Sequence, residues 1–151
     1  MTLKLNFFAK SDRGLIRDNN EDSGYAGPHL LILADGMGGH AAGEVASELM
    51  VNHLEILDQD PSQEDTAALL EAAAEQANEA ISDHVKAHPE TEGMGTTLSA
   101  MLFNGRDFGV CHVGDSRGYL LRDGTLSQLT TDHTFVQRLV TRCSGQDFDA
   151  V

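Results

Sequence analysis

The sequence predicts an α+β layered fold rather than a doubly wound one. Two helix-period segments follow one another, at Glu44 to Leu57 and Glu64 to Ala87. The second half then switches to strand-length apolar runs joined by the hairpin dipeptides Asn104-Gly105 and Asp123-Gly124. Helices segregated from antiparallel strands define that class.

In chain order, Leu3 to Lys10 reads as an imperfectly alternating strand. Ser11 to Gly27, rich in Asp, Asn and Gly, reads as loop with a short strand near Asp22 to Tyr25. His29 to Ala34 is a nearly continuous apolar run that stops at Asp35-Gly36, so it predicts a strand buried on both faces. Gly36 to Gly43 is a glycine-rich turn. In the first helix Val45, Leu49 and Ile56, with Ala42 and His53, fall near one face. Asp58 to Gln63 contains Pro61 and connects to the second helix. There Leu70, Ala73, Ala77, Ile81 and Val85 step by three or four residues, and His88-Pro89 ends the pattern. Thr96 to Phe103, Arg106 to Val113, Arg117 to Arg122 and Thr125 to Thr130 form the predicted meander, with a turn at Gly114 to Ser116. A further helix starts at Thr134 to Val140.

The 151 residues predict one domain, and a hydrophobic content of 40% suffices for a core. Ten Lys and Arg stand against 24 Asp and Glu, a formal charge of −14. Nucleic acid and anionic membrane both need cationic residues to neutralise phosphates, so this balance argues against both and suits a collector of divalent cations. Two cysteines, Cys111 and Cys143, are too few for a disulfide framework or a four-ligand zinc site. With no signal-like start and no apolar run near the roughly 20 residues of a membrane helix, the expectation is a soluble cytoplasmic protein.

Four clusters carry chemistry. Arg17-Asp18-Asn19-Asn20-Glu21-Asp22 lies on a loop and, alone, reads as a surface charge mixture. Leu33-Ala34-Asp35-Gly36-Met37-Gly38-Gly39-His40 places an acid at the end of a buried strand, where a carboxylate needs a partner. An Asp oxygen beside an approachable glycine carbonyl is hard-cation chemistry; a capped glycine turn is the alternative. Gly93-Met94-Gly95-Thr96-Thr97-Leu98 reads alone as a plain strand entry, and Asp115 in Val113-Gly114-Asp115-Ser116-Arg117 as a turn former. His53 and His84 lie on predicted helices without a ligand-spaced partner. No Asp-x-Asp-x-Asp-Gly calcium loop is present.

Taken together and in this order, the four clusters resemble the protein phosphatase 2C family of metal-dependent Ser/Thr phosphatases, in its bacterial form. The similarity continues through Leu-Arg-Asp-Gly and Leu-Thr-Thr-Asp-His to His133 and covers about Asn6 to Val140. It implies an α-β-β-α sandwich of two antiparallel sheets flanked by helices, with metals at one end. It also implies hydrolysis of phosphoserine and phosphothreonine by metal-activated water. Manganese or magnesium is the implied cofactor, and phosphorylated proteins, a Ser/Thr kinase among them, are the implied partners. By the same resemblance Asp35 bridges two ions, the Gly36 carbonyl binds one, Asp22 and Glu21 act near them through water, and Asp115 serves a further ion. Arg17 grips the phosphate, as a planar guanidinium suits. His40 is the implied general acid, although alone it reads equally as a loop or helix-start histidine.

Residues 1–140 are thus expected to be the N-terminal portion of one such catalytic domain, C-terminally incomplete, and 141–151 a divergent tail. The family's domain continues with two more metal-binding aspartates, and Asp147 and Asp149 in the tail do not match them. The abrupt change suggests a frameshifted or prematurely ended reading frame. The corresponding expectations are marginal stability, weak metal affinity and reduced catalysis. A phosphatase-like protein that binds a phosphoprotein or kinase without turnover is the alternative.

Overall fold

The computed structural model describes residues 3–39, 41–59 and 65–133. His40, the predicted helix start at Thr134 to Val140, Cys143, Asp147 and Asp149 lie outside the described residues.

The sheet is built outward from its most apolar segment. Strand β2, Leu30–Met37, pairs antiparallel with β1, Asp22–Ala26, on one side. On the other side it pairs with β3, Gly95–Thr96, and β4, Leu98–Phe103, and β5, Phe108–Val113, follows β4. A separate hairpin joins β6, Tyr119–Arg122, to β7, Thr125–Gln128, through Asp123-Gly124. The helices are α1, Ala42–Leu54, and α2, Thr66–Ala87. The α+β class and the antiparallel sheets therefore hold.

Several local expectations change. Leu3 to Lys10 forms no strand: its apolar residues do not alternate, it pairs with no described strand, and Phe8 is exposed. Strand β2 runs through Asp35-Gly36 instead of stopping there, because β3 supplies partners for Gly36 and Met37. It is also buried on one face only. Leu30, Ile32, Ala34 and Gly36 point inward, while Leu33 is 42% exposed. The inward residues meet α1, and α2 packs beside it against β4 and β5 on the same face. The predicted strand over Thr96 to Phe103 is split at Thr97.

Helix α1 is rotated from its predicted face. Its buried residues are Ala42, Gly43, Ala46, Ser47, Met50, Val51 and Leu54, whereas Val45, Leu49 and His53 are half-buried and Ile56 is exposed. Its first turns present small residues because the helix and strand backbones approach closely at Gly43, and Met50, Val51 and Leu54 fill the rest of the buried face. The helix gives way to a 3-10 turn, Glu55–Asp58, one turn before the predicted end. Helix α2 buries Leu70, Ala73, Ala77 and Ile81, as its period requires, with Val85 half-buried. Its Asp65 cap accepts from the Ala67 and Ala68 amides. Leu30, Leu54, Leu70, Leu98 and Leu102 are completely buried between helices and sheet, each contributing about 1.5–3 kcal/mol.

Asp58 staples the end of α1 to the sheet. Its carboxylate accepts from the His29 amide (2.8 Å), the Leu30 amide (3.0 Å) and the Tyr25 hydroxyl (2.6 Å). That hydrogen bond, with burial and the Asp58 charge, raises the Tyr25 pKa. Asp58→Ala strands all three donors and is expected to cost about 2–4 kcal/mol, read as a lower urea midpoint with unchanged m.

The opposite face of the sheet borders an open cavity of about 600 Å³ lined by Phe8, Leu31, Leu33, Met101, Val110 and Tyr119, with Asp22 at its margin. Among the described residues no helix is long and apolar enough to cross a membrane.

Candidate metal centre

Register brings the first two candidates together. Asp22 on β1 lies directly opposite Asp35 on β2. Alternation along β2 turns Asp35 away from the helices, between buried Ala34 and Gly36. Both aspartates are exposed residues. The Asp35 carboxyl is nonetheless pushed above its ordinary 3.8, first by its own partial burial. The Asp22 charge and a side-chain hydrogen bond with Asp22 add to the rise, and the Asp115 charge adds further. Arg17 opposes it. Two carboxyls from different strands thus stand opposite each other, with a third acid and an arginine within electrostatic reach. Like charges so placed favour retention of a proton or capture of a cation.

Gly36 has a packing reason that the sequence reading missed. A Cβ there would collide with the carbonyl of Gly43 in the first turn of α1 and lie 2.9 Å from the Glu21 carbonyl. The Gly36 amide donates to that Glu21 carbonyl at 3.1 Å. The helix backbone thus rests on the strand backbone beside Asp35. Buried Ser47 on α1 locks the junction by donating to the same Glu21 carbonyl at 2.7 Å, with Ser23 Oγ at 2.9 Å.

Glu21 is placed differently from Asp22. Its carboxylate accepts from Asn19 Nδ2 (3.1 Å), and a Cβ on Gly43 would lie 2.6 Å from its Oε2. It therefore sits against the first turn of α1, where an anion complements the helix dipole. It is not among the groups that shift Asp35. That helix starts from Ala41 at φ 64 with no side-chain cap.

Asp115 sits on an exposed turn held by the Leu-Thr-Thr-Asp-His stretch, to which sequence reasoning gave no role. Arg117 donates to Asp132 from Nε (3.1 and 3.2 Å) and from Nη2 (2.7 Å). This pairing lowers the Asp132 pKa and raises that of Arg117. The Gly118 amide donates to Thr130 Oγ1 (2.9 Å) and the His133 amide to the Gly114 carbonyl (2.8 Å). His112 donates from Nε2 to the Thr131 carbonyl (3.2 Å), and its Nδ1 meets Ser99 Oγ (2.8 Å). The sequence marked this stretch only as part of the family resemblance and as a run of polar residues after a hairpin, with no partner for any of them.

Among the described residues no three His, Cys, Asp or Glu side chains converge as a complete cation cage. The facing pair supplies hard oxygen donors and surplus negative charge, which fits magnesium or manganese. Asp22 and Asp35 would hold such an ion, with Asp115 adding charge nearby.

Fold and site together define an α+β protein with two facing carboxylates, Asp22 and Asp35, on adjacent strands of an antiparallel sheet. The family described as Protein phosphatase 2C matches residues 5–139, and the chain belongs to that family. It is 60% identical over 140 residues to the serine/threonine protein phosphatase PstP of Mycobacterium tuberculosis, covering 93% of this chain and 27% of that protein. It is 40% identical to the serine/threonine phosphatase stp of Listeria welshimeri, covering 87% of this chain and 56% of that one. A crystal structure of the M. tuberculosis PstP superposes with a TM-score of 0.90 at 59% identity, covering 93% of this chain and 60% of that chain. The PstP catalytic domain in complex with two manganese ions superposes with a TM-score of 0.88 at 58% identity, covering 93% and 61%. The chain thus spans between about a quarter and three fifths of these relatives.

Proposed function

We propose that the chain acts as a metal-dependent protein serine/threonine phosphatase that hydrolyses phosphoserine and phosphothreonine. The observation that carries the reading is the facing Asp22–Asp35 pair, whose mutual repulsion a divalent cation would relieve. Family membership and the manganese complex of PstP support the same cofactor, manganese or magnesium. Bound divalent ions activate water near neutral pH and offset charge on the phosphoryl oxygens.

The chain's own groups take these roles. Asp35, Asp22, Asp115 and the Gly36 carbonyl hold ions, and Glu21 orders the water around them. Arg17, already within electrostatic reach of Asp35, orients the phosphate through paired hydrogen bonds. Water adds to phosphorus, the bond from phosphorus to the Ser or Thr oxygen breaks, and that oxygen takes a proton from His40. On this reading residues 1–140 belong to one catalytic domain and 141–151 diverge from it. The partners are Ser/Thr-phosphorylated proteins, including a Ser/Thr kinase, and the compartment is the cytoplasm. The acidic balance supports the exclusion of nucleic acid and membrane partners.

The test is hydrolysis of a phosphothreonine peptide with manganese, beside chelator and Asp35→Asn controls. Turnover that needs both manganese and Asp35 is expected. Folded protein that binds manganese and phosphopeptide without turnover would replace catalysis with the binding reading.

A further inference from the structure

The pairing of β2 with β3 and β4 keeps one register: Leu33 opposes Ser99 and Gly36 opposes Thr96. Asp35 therefore opposes Thr97, at the point where β3 and β4 are divided. A hydrogen-bonded antiparallel pair exchanges two backbone bonds. Here one is made, from the Thr97 amide to the Asp35 carbonyl at 2.9 Å. The return bond is rerouted. The Asp35 amide donates to Thr97 Oγ1 at 3.0 Å, and the Thr97 carbonyl accepts from the Thr96 hydroxyl at 2.9 Å.

The same Thr97 oxygen lies 3.0 Å from Ser116 Oγ, on the turn that bears Asp115. The threonine methyl fills space left by Gly114: a Cβ there would lie 2.6 Å from Thr97 Cγ2. Thr97 is buried, so its hydroxyl bonds are shielded from water. One side chain thus joins the backbone of Asp35 to the turn carrying Asp115.

We propose that Thr97 is a positioning residue that fixes the placement of Asp35 relative to Asp115 and thereby sets divalent-ion affinity, a role that rests on the metal-site reading above. Valine keeps the shape and removes the hydroxyl, leaving the Asp35 amide without its acceptor. Serine keeps the hydroxyl and removes the methyl. Ser116→Ala cuts only the far end of the link.

The experiment is manganese titration by calorimetry of the full chain as wild type, Thr97→Val, Thr97→Ser, Ser116→Ala and Asp35→Asn. The thermal midpoint of each metal-free protein is measured alongside. Thr97→Val is expected to weaken manganese binding about tenfold or more, the range seen when a partner supporting a ligand is lost. Thr97→Ser is expected to recover most of that loss, and Ser116→Ala to weaken binding less than valine does, with a near-wild-type midpoint. Wild-type affinity in folded Thr97→Val, even with a lowered midpoint, overturns the proposal. Should the valine variant not fold, unchanged affinity in Ser116→Ala overturns it. Wild type that binds manganese no better than Asp35→Asn removes the metal reading itself, and this proposal with it.

Discussion

Gly36→Ala is expected to destabilise the chain severely. The added methyl would enter the carbonyl of Gly43, and it also crowds the Glu21 carbonyl at 2.9 Å. Both obstacles are backbone, so no side-chain rotation relieves them. Helix α1 must lift from β2, which exposes Ala42 and Ala46 and breaks the Ser47 bond to Glu21. A cost of about 3 kcal/mol or more follows, at the upper end for overpacking. That is a large share of the roughly 5–15 kcal/mol that holds a domain folded. Gly39→Ala is the matched control, since a Cβ there meets nothing within 4 Å. Denaturant midpoints of the two variants check the contrast. Equal midpoints would mean that the helix does not rest on the strand at this point.

Asp35→Asn is expected to act in opposite directions on affinity and stability. It removes an anionic oxygen from the facing pair, so manganese affinity should fall by more than the ~10–100-fold cost of losing a supporting partner. Phosphopeptide turnover should fall with it. The metal-free protein should become more stable, because the asparagine amide can donate to Asp22 where two carboxylates repel. The sign follows from the raised Asp35 pKa. The folded chain keeps this proton to higher pH than the unfolded chain does. Stability of the metal-free wild type therefore falls as pH rises from 3.8 through the raised value, and the asparagine variant lacks that component. Thermal scans with a chelator, across that range, measure the difference. A less stable Asp35→Asn protein would show that the pair is not strained.

The two variants divide the glycine from the aspartate that precedes it. The sequence reading used Gly36 only for access of its carbonyl to an ion. The packing gives it a second duty, and that duty accounts for the glycine whether or not an ion binds. Reading Asp35 at a strand end also understated its support. Because β2 continues to Met37, the residue is held from both sides, by Asp22 across β1 and by Thr97 across the divided strand.

Local pattern was sufficient where a short-range rule acts alone. The period of α2 and the Asn104-Gly105 and Asp123-Gly124 hairpins are set by neighbours within a few residues, so they could be read from the chain directly. The acidic surplus and the four clusters, with Arg17, Asp22, Asp35 and Asp115, were equally visible. Contacts between distant segments were not. The rotation of α1 onto its small residues, the one-sided burial of β2 and the absence of a strand at Leu3 to Lys10 depend on which surfaces meet. The link from Asp35 through Thr97 to Ser116 depends on register across sixty-two and nineteen positions of sequence. The sequence by itself determined which side chains can bind a cation and which segments can be helices or strands. Only the tertiary structure decided which carboxylates face each other and which hydroxyl ties Asp35 to the turn of Asp115, because long-range pairing, not local preference, sets those distances.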